Sequence, residues 1–110
     1  MDLVDSGIRT VLVTAPDAEV GSSLARELVE DRLAACVNVV PGVRSIYRWD
    51  EAVQEEDEVL LVLKTTDERL VALTERVIAL HPYDVPEVLA LPEAGGSAAY
   101  RAWLVGEVRP

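Results

Sequence analysis

Cysteine, histidine and lysine each occur once in this chain, at Cys36, His81 and Lys64, and each scarcity closes off a class of chemistry. A lone thiol makes no internal disulfide, which agrees with a reducing compartment. With one imidazole, any Ser/His/Asp or Cys/His set has to be built on His81, and any metal centre has to draw on His81 or on carboxylates alone. The one Gly-Gly pair, Gly95-Gly96, sits in a turn ahead of a helix cap rather than after a strand, so there is no phosphate-cradling loop. No apolar run approaches the ~20 residues that cross a bilayer. The opening Met1-Asp2-Leu3-Val4-Asp5 lacks the basic-then-apolar layout of an export signal, so the expected address is the cytoplasm. Basic residues are few as well: ten against twenty acidic ones give a net charge of −10. That balance disfavours nucleic acid and anionic membranes as partners and attracts cations, besides aiding solubility. Nothing in these counts specifies an enzyme.

What is present fills one domain. Half of the 110 residues are hydrophobic and 27% are charged, enough for a core but not for two. Residues 1–7 read as a flexible lead-in and 8–110 as a single domain. Residues 8–15 are β-branched and apolar, a central strand that Pro16 ends. Asp17 caps a helix running to about residue 31, with Val20, Leu24, Leu28 and Val29 as its buried stripe; Gly21-Ser22-Ser23 weakens its first turns. Residues 33–49 and 53–64 then form two long strand-type runs. Closing them at Asp50-Glu51 sets Arg44 opposite Asp57 and Tyr47 opposite Gln54. The inner half of the second arm, Val59-Leu60-Leu61-Val62-Leu63, is apolar on both faces, as in a strand buried on both sides. Pro41-Gly42 predicts a bulge or kink in an edge strand. Each arm would reach on the order of 40 Å at ~3.3 Å per residue, so its outer part needs cover from another copy of the chain.

Thr65 and Glu68 read as a capping box for a second helix, whose stripe is Leu70, Leu73, Val77 and Leu80 and which His81-Pro82 stops. Residues 86–92 form a short strand with proline at both ends. Ser97 caps a last helix carrying Tyr100, Trp103 and Leu104. The order strand, helix, strand, strand, helix, strand, helix predicts an α+β fold, the ferredoxin-like βαββαβ sandwich with an extended hairpin and an extra C-terminal helix. Both long helices then share one face of a four-stranded antiparallel sheet, and the other face needs burial elsewhere.

Particular strings narrow this further: Val11-Leu12-Val13-Thr14-Ala15-Pro16-Asp17, Leu33-Ala34-Ala35-Cys36-Val37-Asn38, Pro41-Gly42 with Ser45-Ile46-Tyr47-Arg48-Trp49, Leu63-Lys64-Thr65-Thr66, His81-Pro82-Tyr83-Asp84-Val85-Pro86-Glu87 and Tyr100-Arg101-Ala102-Trp103-Leu104. Together they resemble the CutA family of divalent-cation tolerance proteins over nearly the whole chain. The resemblance implies a homotrimer related in fold to the P-II signalling proteins, a non-catalytic link to copper and other divalent metals, and no obligatory cofactor. It departs at two places: some members carry a cysteine and a histidine where this chain has Val13 and Leu80, so a copper site built on those groups is not implied. Many members also have glycine in the hairpin turn where this chain has Glu51.

His81, Asp84 and Glu87 lie within seven residues and offer nitrogen and oxygen donors suited to copper or zinc, while the alternative for His81 is a plain helix-terminus role. Cys36 reads as a small hydrophobe in an apolar strand, with metal ligation as its alternative. By the resemblance, Lys64 faces a region holding Asn38, Tyr47, Trp49 and Tyr83. Lys64, Asn38, Cys36, Tyr47, Trp49 and Tyr83 are accordingly the expected lining of a ligand cleft between subunits. Two other functions fit the same architecture: a P-II-like trimer binding a small anionic metabolite through Lys64, and a structural or anchoring trimer.

Overall fold

The computed structural model describes residues 5–110, so the first four residues of the expected lead-in lie outside it. Four strands, β1 (Ile8–Ala15), β2 (Cys36–Trp49), β3 (Ala52–Thr66) and β4 (Leu89–Pro92), alternate with helices α1 (Ala18–Glu30), α2 (Asp67–Leu80) and α3 (Ala98–Glu107). The strand order is β2-β3-β1-β4, antiparallel throughout, with β1 and β3 central as their apolar content requires. Odd positions of the central strands, Val11, Val13, Val59, Leu61 and Leu63, face α1 and α2 and meet Leu24, Leu28, Leu73 and Val77 in the main core. The period-2 and period-3.6 patterns therefore converge on one layer.

Local chemistry starts each element. Asp17 Oδ1 accepts the Val20 N–H at 2.8 Å and caps α1. Gly21, expected only to weaken that helix, lets it approach the sheet: a Cβ there would stand 3.0 Å from Val59 Cγ2 and 3.2 Å from Leu61 Cδ2. The hairpin has the expected register, Arg44 opposite Asp57 and Tyr47 opposite Gln54. Its turn residues Asp50 and Glu51 have φ of 51° and 62°, the two left-handed conformations of a type I′ turn, adopted here without glycine. The Pro41-Gly42 break is a register shift between Val40 and Val43, with Gly42 at φ 78°.

Four details differ from the sequence reading. Thr65 is not a helix cap: β3 continues through Thr66, and the buried Thr65 hydroxyl donates to the Leu33 carbonyl at 2.6 Å. The first helical N–H, that of Asp67, is satisfied instead by the Gly7 carbonyl at 2.6 Å, so strand pairing outcompetes the capping box. Leu80 and Val29 are exposed rather than buried, each lying off the face its helix turns to the sheet. The last strand spans only Leu89–Pro92, because Val88 turns toward the main core instead of pairing.

Residues 5–7 are tied down. Arg9 grips both Asp5 carboxylate oxygens at 2.8 and 2.7 Å, the Gly7 N–H donates to Asp5 Oδ1 at 2.9 Å, and Arg9 also reaches Asp67 at 3.5 Å. The Arg9 bonds, then the Gly7 amide, lower the Asp5 carboxyl to a pKa of about 2. A depressed folded-state pKa means that this contact contributes fully above the ordinary carboxyl value of about 3.9 and is lost as pH falls toward 2. Carboxyl NMR should place the Asp5 midpoint near 2 and return it to the ordinary range in Arg9→Gln; an ordinary midpoint in the unmodified chain refutes the clamp.

On the opposite face of the sheet, α3 packs Leu104 and Val108 onto Ile8 and Ala35. That covers only one end. Leu12, Leu60 and Val62 are half-buried there, and Leu89 and Leu91 remain 61% and 49% exposed.

Candidate functional site

The most organised polar group begins where α2 stops. Pro82 cannot continue a helix and excludes helical backbone from the residue before it, so His81 swings to φ −75°, ψ 139° while its own N–H still bonds the Val77 carbonyl at 2.8 Å. This places the ring, in a residue only 7% exposed, between two backbone groups. Nε2 lies 2.7 Å from the Thr14 carbonyl, which can only accept, so Nε2 carries the proton. Nδ1 then accepts the Tyr83 N–H at 3.1 Å. Both nitrogens of the neutral ring are engaged, and the Tyr83 ring packs against it at 4.6 Å between centroids, tilted by 50°.

Tyr83 carries the arrangement onward. Its hydroxyl donates to Glu58 Oε2 at 2.7 Å, and Glu58, on β3, is only 8% exposed. Burial, then the bond to Glu58, pushes the Tyr83 phenol well above its usual range. Partial burial and the Glu58 charge together raise the Glu87 carboxyl. On the neighbouring strand the Tyr47 hydroxyl donates to Glu56 Oε1 at 2.9 Å, and this bond raises its pKa in turn. Two phenols and three carboxylates therefore gather where the hairpin leaves the core. Metal ions prefer such hard oxygen donors as magnesium, calcium or manganese sites, whereas copper and zinc draw on imidazole as well.

His81, Asp84 and Glu87 do not form a ready-made centre within one subunit. No group of three His, Cys, Asp or Glu converges among the described residues, and His81 has no free lone pair while Tyr83 holds Nδ1. Sequence reasoning named Tyr83 and Glu87 but singled out neither Glu56 nor Glu58. The available signal was position: Glu58 immediately precedes the run that is apolar on both faces, so it enters the sheet where water is already being excluded.

The six expected cleft residues divide. Cys36 pairs across the ladder with Lys64, and the Lys64 ammonium donates to Asn38, two pairs further along on the same face. Tyr47, opposite Gln54, is ten residues down β3 from Lys64, roughly 33 Å along an extended strand, so the two cannot hold one small ligand within a subunit. Tyr83 belongs with the carboxylates, and Trp49 stands exposed beside the hairpin turn. The Tyr100 hydroxyl was missed from sequence; loss of water first, then Cys36, raises its pKa although the residue as a whole is 45% exposed. Among the described residues no carboxylate lies within ion-pair distance of Lys64.

Residues 9–107 match the family model described as CutA1 divalent ion tolerance protein. The Divalent-cation tolerance protein CutA of Thermus thermophilus is 56% identical over 94 residues, covering 86% of this chain and 91% of that protein. The Protein CutA, chloroplastic, of Arabidopsis thaliana is 52% identical over 90% of this chain, which spans only 54% of that longer protein. Among solved structures, the Thermus thermophilus divalent cation tolerance protein superposes with a TM-score of 0.91 at 52% identity, covering 93% of this chain and 99% of that one. A periplasmic divalent cation tolerance protein CutA from Archaeoglobus fulgidus gives 0.90 at 29% identity, covering 93% and 99%.

Proposed function

We propose a function from one premise: this chain belongs to the CutA1 divalent ion tolerance family. Its role is to bind divalent cations, copper(II) among them, non-catalytically and as a homotrimer. The observation that carries this reading is the carboxylate pair at the hairpin base, where Glu58 is buried and the Glu87 carboxyl is raised by partial burial first and by the Glu58 charge second. A divalent cation between two such groups replaces their repulsion with attraction. Asp84, three residues before Glu87, is exposed. His81 joins only if Tyr83 releases Nδ1, so in the resting arrangement it organises the loop, and the remaining ligands come from a second copy.

The trimer is supported by the sheet face that α3 leaves open and by a hairpin longer than its own core. A non-catalytic role is supported by the single imidazole, whose two nitrogens are both held by backbone groups and so activate no nucleophile. A cytoplasmic address agrees with the lone cysteine, while relatives named chloroplastic and periplasmic show that addresses in the family differ.

The test is isothermal titration of metal-free protein with copper(II), zinc(II) and manganese(II), alongside Glu87→Gln. Saturable binding that weakens about tenfold or more in the variant supports the carboxylate site. Unchanged binding in Glu87→Gln, or none in the unmodified chain, removes it. Lys64, without an ion-paired carboxylate among the described residues, favours a second reading, a P-II-like site for a small anion. Binding of an anionic nucleotide that Lys64→Ala abolishes would move the assignment there.

A further inference from the structure

The helix layer, on the far side of the sheet from the open face, contains a groove that the cation reading does not use. It runs between the first turns of α1 and the end of α2 and encloses ≈ 520 Å³. Its apolar floor comes from Val20, Leu24, Leu80 and Pro82, and its rim from Asp17, Glu19 and Glu27. Leu24 is buried, whereas Leu80 is exposed and turned away from the sheet, into this space. No lysine or arginine lines the groove. Arg76 ion-pairs with Glu27 at 3.3 Å but is shared with Asp31, also at 3.3 Å. Glu19 takes part in no ion pair among the described residues, and Asp17 spends one oxygen on the cap of α1.

Helix polarity adds to the rim. The last turn of α2 carries no basic residue, so the carbonyls at its end leave partial negative charge uncompensated at the groove. An apolar floor between carboxylates and a helix C-terminus is complementary to one kind of occupant, apolar side chains flanked by cations, and the net charge of −10 disfavours acidic partners. We propose that this groove docks a short basic amphipathic segment of a partner protein, with leucine-like side chains on Val20, Leu24 and Leu80 and lysine or arginine reaching Asp17, Glu19 and the end of α2. The groove lies on the helix side, so a homotrimer closed through the opposite sheet face leaves it open, and the docking stands whether or not the carboxylate site binds metal.

The probe is a nine-residue peptide of two leucines flanked by lysines, titrated into the isotopically labelled full chain and followed by amide NMR. Shifts should concentrate between Asp17 and Glu27 and around Leu80 and Pro82. Affinity should fall about tenfold or more when serine replaces both leucines in the peptide, and likewise in Glu19→Lys and in Leu80→Ser. Both substituted positions are exposed, so the variants should keep the unmodified spectrum elsewhere. Absence of binding, shifts scattered over the acidic surface, a serine peptide that binds equally well, or variants that bind like the unmodified chain would each overturn the docking groove.

Discussion

His81→Ala should lower unfolding stability by about 2–4 kcal/mol, measured by urea denaturation at fixed chain concentration. The imidazole joins three parts of the chain: the Thr14 carbonyl at the end of β1, the Tyr83 amide beyond α2 and, through the Tyr83 ring packed against it, the buried Glu58 carboxylate. Alanine leaves a carbonyl and an amide without their partner in a position now only 7% exposed, and an unsatisfied buried group costs about 1–3 kcal/mol. The cavity adds to that. Tyr83→Phe should cost less, about 1.5–3 kcal/mol, because it withdraws a single donor from a charged acceptor. A loss below about 0.5 kcal/mol in His81→Ala would refute the bridging role. The size of this effect also governs how metal experiments are read: lost binding in His81→Ala would follow from a collapsed loop, whereas Glu87→Gln keeps the loop and tests the carboxylate alone.

The elements that sequence reasoning placed well are those whose local and tertiary preferences agree. The strand Ile8–Ala15, the Asp17 cap and the Asp50-Glu51 turn each follow from a few adjacent residues, and the neighbouring structure asks for nothing different. Thr65 failed for the opposite reason. Its local signal is a helix cap, but its pairing with Arg9 across the sheet keeps it in β3, and no short-range pattern reveals that competition. Gly21 is similar, since its cost to the helix is visible in the sequence and its service to the α1–β3 contact is not. At the candidate site the chemistry-bearing types were legible because histidine and lysine are so scarce. Their partners were not. Glu58 and Tyr83 are 25 residues apart, and only the fold decides that they meet.

For the trimer proposed above, replacing both Leu89 and Leu91 with glutamate should leave single chains in light scattering at micromolar concentration, while the fold of each chain persists. In a single subunit both leucines are already 61% and 49% exposed, so charging them costs the isolated chain little. They lie on the sheet face that includes Leu12, with Leu89 directly opposite it in the ladder, and Val40 and Trp103 are exposed as well. Burying what remains exposed of the two leucines is worth roughly 1.5–3.5 kcal/mol per chain, and burying two carboxylates without partners opposes assembly further. Charge already works against association, because three chains carry 3 × −10 = −30, so apolar contact has to supply the drive. A control on the helix side separates this face from surface charge in general: Val71, on the outside of α2, is 70% exposed, and Val71→Glu should leave the assembled mass unchanged. If Leu89→Glu with Leu91→Glu stays trimeric, the subunits meet through some other surface; if the unmodified chain is itself monomeric, the open sheet face needs a different cover and the proposal of ligands shared between copies falls with it.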